Sequence, residues 1–157
     1  MRKNIFLFIL LVVFLTAPVF AQKEDFWFCP AVETAVYSSS GLAYGGGMAI
    51  GYGTRTAIGF KALWFADADG LEILEFNFLL RRYFGGNGYS GFFLQAAAGP
   101  VLFAFDSITI PSEHGMISVG LNAGWRLLLG DLFFVEPNIR AGYPYFVGGG
   151  ILAGLRY

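Results

Sequence analysis

Between Gly115 and Gly130 the chain reads GMISVGLNAGWRLLLG, two interleaved series of opposite character. One series is Ile117, Val119, Leu121, Ala123, Trp125, Leu127 and Leu129; the other is Ser118, Gly120, Asn122, Gly124 and Arg126. On a helix these residues would scatter around the axis, whereas an extended strand puts one series on each face. The same period of two recurs on both sides of this stretch. In residues 132–143, Phe133, Val135, Ile139 and Ala141 alternate with Glu136, Asn138 and Arg140. In 71–84, Leu74, Phe76, Phe78 and Leu80 alternate with Glu75, Asn77 and Arg81. In 55–66, Ile58, Phe60 and Trp64 alternate with Gly59 and Lys61. Turn-forming clusters (SSSG, GTRT, ADADG, GGNGYSG, GD and YPY) separate the runs. Eight strands are predicted, over about 28–37, 42–52, 56–66, 71–83, 91–104, 116–128, 133–143 and 146–157.

Composition decides which face meets which medium. The chain is 56% hydrophobic and 18% aromatic, yet nothing after the first segment can cross a bilayer as a helix. The longest apolar stretch, Phe92 to Phe105, is interrupted by Gln95, Gly99 and Pro100, and all 22 glycines fall between Gly41 and Gly154. A bilayer tolerates only helices and closed barrels, because each backbone N–H and C=O must be satisfied internally. Eight strands of about ten residues suit a closed, tilted barrel. The polar series consists mainly of small residues with single long charges among them, while the apolar series is bulky. A small barrel's lumen is just wide enough for its own side chains, so the bulky face is assigned to lipid. A soluble lipid-binding barrel with the faces reversed would need more charges than this sequence carries.

The first residues read as an export signal. Arg2 and Lys3 precede an apolar run from Ile5 to Leu15; Pro18 follows, with Val19 and Ala21 at the spacing of a signal-peptidase site. Residues 1–21 are expected to be a signal peptide cleaved after Ala21, and 22–157 the barrel domain. The apolar run is short for a retained anchor. The chain's net charge is −1, and it has no basic stripe or arginine-rich segment, which argues against nucleic-acid binding. Cys29 is the single cysteine, so no internal disulfide can form; it is expected to be a half-buried apolar residue at a strand start.

Eight charged residues fall on the lumen series: Glu33, Lys61, Glu75, Arg81, Arg126, Glu136, Arg140 and Arg156. Buried charges must pair. Inward Ala43, Gly45, Gly47, Ala49, Gly51, Gly148, Gly150 and Gly154 leave volume for them. Residues directly opposite in an antiparallel pair share a face, so hairpin loops between inward residues hold an odd number of residues. Pairing Ala66 with Gly70 sets Lys61 opposite Glu75. Pairing Leu129 with Phe133 encloses Gly130, Asp131 and Leu132 and sets Arg126 opposite Glu136. Glu33 is expected to meet Arg140 or Arg156 at the seam. Pro100 and Pro137 lie within strands and are expected to mark bulges. Trp27, Trp64, Trp125, Tyr37, Tyr52 and Tyr143 lie near run ends, as aromatic girdles require.

Over Phe28 to Tyr157 the chain resembles small eight-stranded outer-membrane proteins of the OmpA and OmpX kind. The stretch GWRLLLGDLFFVEPNIRAGY (124–143) is similar to penultimate hairpins of that superfamily. The outward row Ile151, Ala153, Leu155 and Tyr157 resembles the C-terminal signal of such barrels. The resemblance implies a bacterial outer-membrane location, both termini in the periplasm, a lumen blocked by charged side chains, and assembly by the barrel assembly machinery through the strand ending at Tyr157. The leading reading is a monomeric, non-enzymatic envelope barrel surrounded by outer-membrane lipids, with no cofactor or metal. A narrow pore is the alternative. A third reading is a lipid-modifying enzyme using His114, the only histidine, in the loop Asp106 to Gly115 beside Ser107 and Ser112.

Overall fold

The structure, a computed structural model, describes residues 26–37, 41–68, 70–85, 90–105 and 116–157. The expected signal peptide, residues 1–21, and the segment carrying His114 lie outside the described residues. Eight strands follow in order: β1 (Phe26–Tyr37), β2 (Gly41–Gly53), β3 (Thr56–Asp67), β4 (Leu71–Phe84), β5 (Gly91–Phe105), β6 (Met116–Leu129), β7 (Phe133–Tyr143) and β8 (Tyr145–Arg156). Each pairs antiparallel with its neighbours, and β8 pairs back onto β1, so the sheet closes into a barrel with no free edge. At the seam the backbones of Phe26 and Tyr157 exchange two hydrogen bonds, of 3.1 and 2.8 Å.

The alternation read from the sequence becomes the two faces of the wall. On β6, Ile117 and Leu121 are 67% and 68% exposed, whereas Ser118, Asn122 and Arg126 are at most 4% exposed. On β4, Phe78 stands outward while Glu75, Asn77 and Arg81 are buried. Large apolar side chains therefore cover the outside of the barrel, a face that only a bilayer can bury.

Strand prolines behave differently from expectation. Neither Pro100 nor Pro137 marks a bulge: the β4–β5 and β6–β7 registers are the same on both sides of them. Each proline keeps its register partner on one neighbouring strand, Pro100 with Ile117 and Pro137 with Ile151, while pairing on the other side pauses and then resumes. Pro30 does the same at the seam, paired with Met48 but not across to β8. A missing N–H removes a ladder bond on one side of a strand and requires no extra residue. The register shift that does occur lies between Val36 and Tyr37 against β8. There Phe146 and Val147 are consecutively exposed, and Tyr145 turns inward.

The β6–β7 hairpin has the expected register, Leu129 opposite Phe133, with Gly130 at φ +77° in its three-residue loop. The β3–β4 hairpin has slid by two residues: Ala66 faces Glu72, not Gly70. Asp67 explains the slide, since its carboxylate accepts the N–H of Leu71 at 2.9 Å and holds a turn in which Gly70 takes φ +83°. An even slide leaves both faces unchanged but alters which residues sit opposite.

Candidate functional site

The lumen is filled by two clusters of charged and aromatic side chains, one near each end of the barrel. One end, the terminal end, carries both chain ends of the barrel and the β2–β3, β4–β5 and β6–β7 connections. Three strands converge there. Arg81 and Tyr83 come from the last turns of the β4 zigzag, Arg126 from the end of β6, and Glu136 from the start of β7. Glu136 accepts Arg81 Nη1 at 2.7 and 2.9 Å, Tyr83 Oη at 3.2 Å, and the Nε of Arg126. Arg81 Nε donates to Gln95 at 2.9 Å. The guanidiniums are sandwiched by rings: Arg81 lies 4.1 Å from the centroid of Phe93 and 4.8 Å from that of Trp27, and Arg126 lies 3.9 Å from that of Phe134.

Towards the far end, Arg140 on β7 joins two carboxylates. Its Nη2 donates to both oxygens of Glu75 at 2.7 and 2.8 Å, and its Nη1 to Glu33 at 3.1 Å. Glu33 also pairs with Lys61 at 2.6 Å. Glu75 further accepts the hydroxyl of Tyr37 and the amide of Asn77, the latter at 3.2 Å. Asn77 in turn accepts Ser118 Oγ at 2.5 Å. Tyr145 caps the group, with Arg140 3.6 Å from its ring centroid.

Of the charged residues assigned to the lumen, seven meet in these clusters. Arg126 and Glu136 are in contact, as the hairpin parity requires, and Glu33 meets Arg140. Lys61 does not pair with Glu75. The slide of the β3–β4 hairpin puts Asn77 opposite Lys61 and Leu63 opposite Glu75. Lys61 instead reaches from β3 past β2 to Glu33 on β1, over the small residues Gly45, Gly47 and Ala49. Arg156 lies outside both clusters, partly exposed at the terminal end with Nη2 donating to the Asp131 carbonyl at 3.1 Å.

Sequence reasoning missed the aromatic half of the plug. Trp27 and Tyr37, expected in the lipid girdles, are buried in the lumen, whereas Trp64, Trp125, Tyr52 and Tyr143 do stand outward. Phe65, Tyr83, Phe93, Phe134 and Tyr145 are also inside. Cys29, expected to be half-buried, is fully buried on the same face. The missed signal was parity: on β1, residues 27, 29 and 37 share the side of Glu33, a residue of the lumen series.

The wall glycines are complementary to this plug. A Cβ at Gly51 would strike the Trp27 indole, at Gly45 the Phe65 ring, at Gly124 the Phe93 ring and at Gly154 the side chains of Cys29 and Phe134. At Gly150 it would meet Glu33, and at Gly120 the Tyr145 hydroxyl. Glycine on one strand thus makes the space that a large lumen side chain of another strand occupies. Among the described residues no group of His, Cys, Asp or Glu is placed to hold a metal ion.

The eight-stranded closed wall has solved counterparts. Neisserial surface protein A superposes with a TM-score of 0.60 at 12% identity, over 85% of this chain and 95% of that one. The fold is that of the small outer-membrane β-barrels. The N-terminal β-barrel domain of Pseudomonas aeruginosa OprF superposes with a TM-score of 0.59 at 16% identity, over 87% of this barrel and 98% of that domain. A de novo designed transmembrane β-barrel matches with a TM-score of 0.54 at 12% identity, covering 85% and 98% of the two chains. No protein-family model and no curated protein matches the sequence.

Proposed function

We propose that this protein is a sealed barrel of the bacterial outer membrane with a structural, non-enzymatic role in the envelope. The observation that carries the reading is the plug. Two ion-pair clusters, backed by rings that fit against wall glycines, fill the lumen from both ends. Charged groups committed to one another in this way are poor ligands for a passing solute. Separating them would require several kcal/mol per stranded charge. The bulky exterior is solvated by outer-membrane lipids, and residues 1–21 direct export. The barrel assembly machinery receives the strand that ends at Tyr157, and the folded protein is a monomer with both termini in the periplasm.

Purified protein in planar lipid bilayers tests the seal. Wild-type protein is expected to give no sustained single-channel steps; a steady open conductance would support the narrow-pore reading instead. The enzymatic reading through His114 has its own test. Lipid from cells carrying His114→Ala should be unchanged, and loss of a modified lipid would assign catalysis to that loop.

A further inference from the structure

The buried charges of the described residues do not divide evenly between the two ends of the lumen. At the far end, Glu33 and Glu75 balance Lys61 and Arg140. At the terminal end, Arg81 and Arg126 face the single carboxylate of Glu136, and all three are at most 3% exposed. Glu136 is already engaged by both arginines and by Tyr83. The stacked rings offset part of the remaining positive charge, but a ring face is a poor acceptor for an in-plane guanidinium N–H.

Two buried donors of this cluster, Arg126 Nη2 and Trp27 Nε1, also find no acceptor among the described residues. They belong to one locality: the Arg126 guanidinium carbon is 5.1 Å from the centroid of the Trp27 ring. The kind of group matters as much as the count. At the far cluster the atoms without a protein partner are mixed, with Arg140 Nε a donor and Oδ1 of Asn122, its register partner, an acceptor, while the acceptor Oδ1 of Asn138 lies midway between the two clusters. Water satisfies such a mixture, because it both donates and accepts. At the terminal end both orphans are donors. A water there could accept from each, but its own protons would face a surplus of positive charge, and the charge would remain.

We propose that the terminal cluster is an anion site, holding one small monovalent anion of halide size between Trp27 Nε1 and Arg126 Nη2. The anion accepts both donors and supplies the counter-charge that Glu136 alone lacks. It becomes a structural component of the plug, captured as the barrel closes around Trp27.

Bromide tests this directly. Wild-type protein folded and crystallised in bromide should show an anomalous peak within hydrogen-bonding reach of Trp27 Nε1 and Arg126 Nη2. Absence of a peak there, with water in its place, overturns the proposal whatever other measurements show. A solution measurement runs in parallel. Trp64→Phe with Trp125→Phe, both on the lipid face, leaves Trp27 as the sole tryptophan. When the protein is refolded in rising concentrations of bromide, Trp27 fluorescence should be quenched saturably, and refolding in bromide with added chloride, but not gluconate, should restore it. Arg126→Gln in that background should weaken the apparent bromide affinity about tenfold or more, as expected for loss of a charge-assisted hydrogen bond. Quenching that rises linearly with bromide, ignores chloride and is unchanged by Arg126→Gln counts against the site.

Discussion

Glu136 is the residue on which the terminal half of the plug depends. Among the described residues it is the only carboxylate paired with Arg81 and Arg126, and it is fully buried. Glu136→Ala would leave two buried guanidiniums without their shared counter-ion, a loss on the order of 3–5 kcal/mol. Arg126→Met with Glu136→Ala should cost less than the two single changes added together. Urea titrations of barrels in lipid vesicles check this, and simple additivity would refute the contact. Glycines make a second claim at this scale. A methyl at Gly51 would enter the Trp27 ring, so Gly51→Ala should destabilise by about 1–3 kcal/mol. Gly46 faces outward with only a backbone oxygen at 3.4 Å, so Gly46→Ala should be near neutral. Equal effects in the same titration would mean that the glycines do not shape the plug. The charged residues of this site were legible because a charge among glycines on an alternating strand has only one face to occupy. Its rings were not, because a tryptophan at a strand end fits the girdle rule as readily as the lumen. Only the parity shared with Glu33 separates the two.

The strands were readable almost to their ends, because hydrophobic alternation of period two is a property of the local sequence. Register between strands was less so. In the β6–β7 hairpin a Gly-Asp turn and one face of charges fix the pairing. In the β3–β4 hairpin two registers differing by two residues satisfy parity equally, and the choice falls to the Asp67 side chain, which bonds the N–H of Leu71. The shift at Val36 and Tyr37 belongs to the closing seam, where strands distant in sequence meet, and no local pattern announces it. The placement of β6 makes a depth prediction. Leu121 lies mid-strand on the lipid face, whereas Leu132 lies in the hairpin turn. Leu121→Arg should cost about 2–4 kcal/mol and Leu132→Arg about 1 or less. Folding yields into vesicles give the order, and a reversal would displace the bilayer along the barrel.

At the scale of the molecule, the outside and inside of the wall impose opposite requirements, and the chain meets both with one alternation. Bulky side chains outside need a bilayer, while glycines inside admit a plug of charges and rings that no bilayer could accept. Closure joins the two, since β8 must return to β1 before every backbone group is satisfied. One measurement tests location and closure together: outer-membrane fractionation followed by gel migration with and without boiling. The protein is expected to sediment with the outer membrane, and the unboiled, closed barrel to migrate faster than the boiled chain. Recovery in the soluble fraction, or identical migration of the two samples, would contradict a closed barrel of the outer membrane.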